Sequence, residues 1–259
     1  MMRLIGNELR KLFRTRKLYV FAAVMVVVLV LNLSGYKPGD PMVVWTFRHG
    51  QSVPLGTLDI LAQFMIIFIP VYLGDSLANE YRRGTLKLPL LRPVRRSELL
   101  GAKLASLFVF IAIMTLFYIA AAYAVGTYYL GWGDGTEVAG RLIPSAEGIR
   151  LTLASAVLLA IPYMIYGLFV TAVAVLTGSM SVTIIGALVV TTLVRHLSLG
   201  WLESMAPYTL NDQMLSYHEA FIVDPDWNRA LRQTGILALY AAVFALFAFR
   251  AFRKKDILH

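Results

Sequence analysis

The sequence predicts an all-α membrane protein with six transmembrane helices and both ends of the chain in the cytoplasm. Three observations carry that expectation. The 259 residues are 58% hydrophobic and only 15% charged, with a mean hydropathy of +0.68. Apolar runs recur at lengths that approach or exceed what is needed to cross roughly 30 Å of hydrocarbon. Lys and Arg gather in alternate connecting segments, as expected when cations resist translocation and stay on the cytoplasmic side.

The first element, residues 1–17, is predicted as an amphipathic interfacial helix. Met2, Ile5, Leu9, Leu12 and Phe13 share one helical face, while Arg3, Arg10, Lys11, Arg14 and Lys17 lie largely off it. Such a helix lies in the headgroup region with its cations toward anionic lipid, each contributing about 1 kcal/mol. Residues 18–259 then form a single six-helix transmembrane domain, with spans at about 18–34, 58–77, 104–130, 151–176, 182–197 and 234–252. The first run also resembles the start of a secretory signal, but it lacks a small-x-small exit and further spans follow, so it is read as retained. The fourth and fifth spans are separated only by Thr177-Gly178-Ser179-Met180-Ser181, a small-residue turn that predicts a tight helical hairpin rather than one kinked span. Pro162 is expected to kink the fourth span.

Orientation follows from the basic residues. Arg3, Arg10, Lys11, Arg14, Arg16 and Lys17 precede the first span; Arg82, Arg83, Lys87, Arg92, Arg95, Arg96 and Lys103 lie between the second and third; Arg250, Arg253, Lys254 and Lys255 follow the last. The other side holds Lys37, Arg48, Arg141, Arg150, Arg195, Arg229 and Arg232. A five-span arrangement would strand the basic carboxyl terminus outside. The outer segments carry irregular backbone chemistry, as in Lys37-Pro38-Gly39-Asp40-Pro41 and Gly131-Trp132-Gly133-Asp134-Gly135. The long stretch from Ser198 to Leu231 is laced with Leu199, Trp201, Leu202, Met205, Tyr208, Leu210 and Met214. It reads as a capping or interfacial helix, or as a loop packed on the bundle.

Catalytic chemistry finds little support. There is no cysteine, and the four histidines form no His-Glu-x-x-His. His218-Glu219, near Asp212, Asp224 and Asp226, is a weak candidate for an external cation site against ordinary loop polarity. Asp75 is expected to pair with Arg82 or Arg83, and Arg195 with Glu203. Tyr118, Tyr163 and Tyr166 are candidates for lining an amphipathic substrate path, with helix packing as the simpler alternative. The positive charge is placed for membrane topology, so no nucleic acid partner is expected.

The one sizeable inner loop mixes cations with leucines between Asn79 and Lys103, which suits docking on a soluble partner better than solvation. Glu80, Gly84-Thr85-Leu86, Leu88, Leu90, Pro93-Val94, Arg96 and Lys103 resemble the internal loop of ABC-2 type transporter permeases, including the bacitracin or lantibiotic and sodium-export types. Asn7-Glu8-Leu9-Arg10-Lys11-Leu12 resembles the opening of the same family, and Lys255-Asp256-Ile257 its tail. Pro89 and Leu91 depart from the pattern, where a plain apolar residue and Ser or Thr are usual.

The resemblance implies the membrane subunit of an ABC exporter, dimeric with itself or a related permease, over two copies of an ATPase subunit. The loop between the second and third spans would be the coupling helix, with Glu80, Arg83, Gly84, Thr85, Leu86, Leu88, Leu90, Pro93 and Arg96 as ATPase-coupling residues. This chain carries no Gly-x-x-x-x-Gly-Lys-[Ser/Thr] loop, so it is expected to hold no cofactor and to be no enzyme, with ATP and Mg on the partner. The implied setting is the cytoplasmic membrane of a bacterium or archaeon, and the implied cargo is amphipathic or lipid-like, a peptide antibiotic among the candidates. The rival readings are a non-transporting ABC membrane subunit that relays ATP hydrolysis to an external partner, and a standalone secondary transporter or membrane enzyme.

Overall fold

Residues 2–35, 47–85, 95–138, 141–196, 205–221 and 225–255 are described by the structure, a computed structural model. Helices dominate it. The chain opens with α1 (Met2–Arg14), which is followed directly by α2 (Arg16–Ser34). Thr15 separates the two by taking an extended backbone, and its hydroxyl donates to Lys11 O at 2.6 Å. The inward face of α1 presents Glu8 and Leu12, whereas Met2 is 85% exposed. In α2 the buried positions Leu18, Met25, Leu29 and Leu33 fall on one stripe, the spacing of a helix packed on one side only. Its other faces expose Val20, Val24, Val27 and Leu31.

α3 (Leu58–Leu73) carries Pro70 inside it and continues through a π-helical turn, Gly74–Asn79, to Arg82. The widened turn begins four residues after Pro70. α4 (Arg96–Leu130) is 35 residues long, and a two-stranded antiparallel hairpin, β1 (Gly135–Val138) with β2 (Arg141–Pro144), follows it. α5 (Ser145–Thr177) runs unbroken through Pro162, and α6 (Met180–His196) packs back on it. A short helix α7 (Leu210–Ser216) and flanking turns lie against α5 and α8 (Trp227–Lys254), the last element.

Among the described residues, five helices are long and apolar enough to cross a membrane: Arg16–Ser34, Leu58–Arg82, Arg96–Leu130, Ser145–Thr177 and Trp227–Lys254. α6, at 17 residues, is the shorter sixth apolar helix. Their outward faces are apolar as well, as at Val189 and Leu193 on α6 and Leu239, Val243 and Leu246 on α8. Exposed apolar surface spread over several helices is what contact with lipid requires.

The core is aromatic. Phe21 of α2 stacks on Phe68 of α3 with centroids 4.0 Å apart, and Tyr72 stacks on Phe110 of α4 at 4.7 Å. The helix centres match the sequence expectation, but several ends extend beyond it. α4 begins at Arg96 rather than near 104 because Arg95 N donates to Glu98 Oε2 at 3.1 Å, a cap that starts the helix in its charged flank. α8 likewise begins at Trp227 because the Asp226 carboxylate accepts from Asn228 N and Arg229 N. The structure is mostly helical, as expected, and a two-stranded hairpin is added between α4 and α5. The hairpin is anchored where Ser52 Oγ accepts from Glu137 N at 2.8 Å, and Gln51 Nε2 donates to Gly133 O.

The described residues between α6 and α8 pack on the bundle. Tyr217 and Thr234 hydroxyls lie 3.1 Å apart, and Tyr240 OH donates to Tyr208 O at 3.0 Å. Leu199, Trp201 and Leu202 lie outside the described residues.

Candidate functional site: a charge ring at one end of the bundle

The end of the bundle where α4 begins and α8 finishes gathers charges from three separate stretches of sequence. At its centre is Lys103, on α4, only 2% exposed. Its ammonium reaches Glu80 Oε2 at 2.8 Å, Glu8 Oε2 at 3.2 Å and the carbonyl of Ser76 at 2.5 Å. An ammonium has three N–H groups, and all three are taken. Lys11 then meets the other oxygen of each carboxylate, Glu8 Oε1 at 2.8 Å and Glu80 Oε1 at 3.0 Å. The four side chains close into a ring of alternating charge, with each glutamate bridging both lysines.

The ring is assembled by three elements. α1 supplies the buried Glu8 and, one turn on, the half-exposed Lys11. The π-helical turn carries the chain to Glu80 and contributes the Ser76 carbonyl. α4 supplies Lys103 two turns from its start. Burial pushes the Glu8 carboxyl up, but the two lysines more than offset this and hold it below its ordinary value. For Lys11 burial acts downward and the two glutamates outweigh it, raising the amine above its ordinary value. Both shifts favour the charged forms. Glu8 and Lys11 are therefore held in their ionised forms at neutral pH.

A second set of contacts surrounds it. Lys17, on α2, pairs with Asp75 at 2.8 Å, and Asn79 Nδ2 donates to the same carboxylate at 3.0 Å. The expected Asp75 partners were Arg82 or Arg83. The salt bridge goes instead to Lys17, because α2 passes beside the π-helical turn, while Arg82 turns to Asn79 Oδ1 at 3.4 Å. At the other edge, Lys255 donates to Val175 O and, at 3.3 Å, to Leu176 O. These are the open carbonyls at the end of α5, where a cation suits the helix dipole. The same ammonium lies 4.2 Å above the Tyr81 ring. Arg96 Nη1 donates to Arg253 O at 3.1 Å and Lys255 O at 2.6 Å, tying the start of α4 to the end of α8.

Between α1, α2, the π-helical turn and α4 lies a cavity of about 320 Å³. Its walls include Lys11, Lys17 and Arg83, the carboxylates of Glu8, Asp75 and Glu80, and the apolar side chains of Leu18, Phe21 and Phe110.

Of the residues expected to couple to an ATPase, Glu80 belongs to the ring, and Arg83 and Thr85 line the cavity. Gly84 has φ +69° and donates its N–H to Tyr81 O at 3.0 Å, ending the helix in a left-handed turn. Arg96 is engaged within the chain by its contacts with the carboxyl-terminal carbonyls. Leu86, Leu88, Leu90 and Pro93 lie outside the described residues. Tyr118, Tyr163 and Tyr166 are fully buried in the helix packing. Tyr118 OH donates to Thr57 O at 2.8 Å and Tyr166 OH to Ile66 O at 3.2 Å. Tyr166 also borders a second cavity of about 180 Å³ under α7.

The His218 region is not brought together as a cation site. Among the described residues, no group of three His, Asp or Glu side chains converges. Glu219 faces Arg229 at 3.6 Å instead, and burial holds the His218 imidazole below its ordinary value. Glu203, the expected partner of Arg195, and Asp224 lie outside the described residues.

Residues 20–258 match a family described as "Protein of unknown function (DUF2705)". The chain belongs to this family. No curated protein matches it. Glu80 and Lys103 fall inside the family region, whereas Glu8 and Lys11 precede it. The ring thus closes between the family domain and the helix in front of it.

Proposed function

We propose that this DUF2705 protein is the transmembrane permease subunit of an ATP-driven ABC exporter, working with a separate ATPase. In this reading six helices cross the cytoplasmic membrane, α6 among them, and the charged end faces the cytoplasm. The observation that carries it is the ring. Three stretches that resemble the permease family, around residues 7–12, 80–103 and 255, are far apart in sequence and meet at one end of the bundle. Glu8 and Lys11 come from the first stretch and Glu80 and Lys103 from the second, while Lys255 covers Tyr81.

The arrangement suits force transmission. An ATPase that moves the turn at Glu80–Thr85 pulls on a carboxylate bound to both α1 and α4. Breaking one partner of a buried ion pair costs about 3–5 kcal/mol, so the three elements move together. The cargo is amphipathic or lipid-like, in keeping with a core that buries aromatic side chains and places its charges at the ends.

The test is co-expression with a candidate ATPase followed by purification of the permease in detergent. Wild type is expected to retain the ATPase, and Gly84→Trp, whose bulky side chain sits at the left-handed turn, to release it. If the wild-type chain retains no ATPase, or Gly84→Trp retains it unchanged, the reading fails. Vanadate-sensitive cargo movement in vesicles separates an exporter from a subunit that only relays hydrolysis.

A further inference from the structure

The cavity beside the ring is not accounted for by force transmission. Its walls hold three cations and three carboxylates, so it favours neither an anion nor a cation as such. The four ring charges satisfy one another. That leaves Lys17 and Asp75, paired at 2.8 Å and each about a third exposed (39% and 34%), together with Arg83, as the groups open to a ligand. A ligand carrying both charge signs can exchange with that exposed pair at little electrostatic loss. A purely anionic one would face Asp75, and an uncharged one would gain nothing from either side.

The apolar part of the wall has a direction. Leu18 and Phe21 line the cavity, and along α2 beyond them Val24, Val27 and Leu31 are all exposed. At about 320 Å³ the cavity is at the small end of ligand sites. It has room for a head group and the carbons next to it, while longer chains would lie outside along α2.

We propose that this cavity binds the zwitterionic head of a phospholipid, with its phosphate at Lys17 and Arg83, its ammonium at Asp75 and its acyl chains along the outer face of α2. The site rests on the membrane-spanning reading and not on the ATPase partner. It makes bound lipid a brace between α2 and the π-helical turn, next to the ring.

The full chain, purified in mild detergent and stripped of lipid, is titrated by native mass spectrometry with phosphatidylethanolamine, phosphatidylglycerol and diacylglycerol in separate arms. A single phosphatidylethanolamine is expected to bind about tenfold more tightly than either of the others. The double variant Lys17→Met with Asp75→Leu, checked for wild-type helicity and melting, is expected to lose that preference. Equal binding of the three lipids by the wild type overturns the proposal without recourse to any variant. So does a preference that survives in the folded double variant. Loss of ATPase copurification has no bearing on either outcome.

Discussion

Lys103 is the residue on which the charged end depends. A lysine 2% exposed is tolerated because each of its three N–H groups meets an oxygen, two of them on carboxylates. Lys103→Met keeps the length and apolar stem but leaves two carboxylates sharing Lys11 alone. The expected loss of stability is about 3–5 kcal/mol, read as a lowered melting temperature in detergent. Adding Glu8→Gln to Lys103→Met should recover part of it, because the uncompensated charge has gone. Strict additivity of the two single effects would rule out a coupled ring. The four residues were visible in the sequence as motif letters or as charges on an amphipathic face. Their pairing was not, since Lys103 lies 95 residues from Glu8 and 23 from Glu80, and no local periodicity links positions so far apart.

At the level of elements, the sequence placed the centre of every long helix, because a run of apolar side chains is a local signal. Ends were harder. Hydropathy falls at the first charges, yet α4 and α8 continue through them because Glu98 and Asp226 cap backbone N–H groups. The π-helical turn had no local signature in the sequence. The hairpin at 135–144 was hidden because eight strand residues between two long helices give too short an alternation to stand out. The α5–α6 hairpin was legible from its small residues, and the structure adds why glycine is needed there. Gly178 has φ +62°, and a Cβ on it would meet the Tyr81 ring at 2.9 Å and Lys255 Nζ at 3.1 Å. Gly178→Ala is therefore expected to cost more than the roughly 1–2 kcal/mol of a left-handed backbone, since it also displaces the lysine that covers the end of α5. Gly84→Ala, at φ +69° with open space around its Cβ, is expected to cost the backbone part alone. Thermal melting of the two variants gives the comparison, and equal losses would show that the Tyr81–Lys255 contact is slack.

The molecule as a whole has two chemically different ends. One carries the ring, the Lys17–Asp75 pair and the basic carboxyl terminus; the other carries the hairpin, with Arg48 near Glu137 at 3.8 Å. Basic residues concentrate at the first, which is the distribution expected of a cytoplasmic face. With six crossings, Thr85 before α4 and Lys254 at the end of α8 share that side, and Asp134 after α4 lies opposite. If α6, only 17 residues long, does not cross, everything after it inverts and Lys254 joins Asp134. The chain has no cysteine, so single substitutions Thr85→Cys, Asp134→Cys and Lys254→Cys, all at exposed positions, report without background. A membrane-impermeant maleimide applied to intact cells is expected to label Asp134→Cys alone, and to label all three after permeabilisation. Labelling of Lys254→Cys in intact cells would remove α6 from the count of spans. It would also place the lysine that contacts Tyr81 across the membrane from the ring, so the six-span arrangement and the contact at Lys255 stand or fall together.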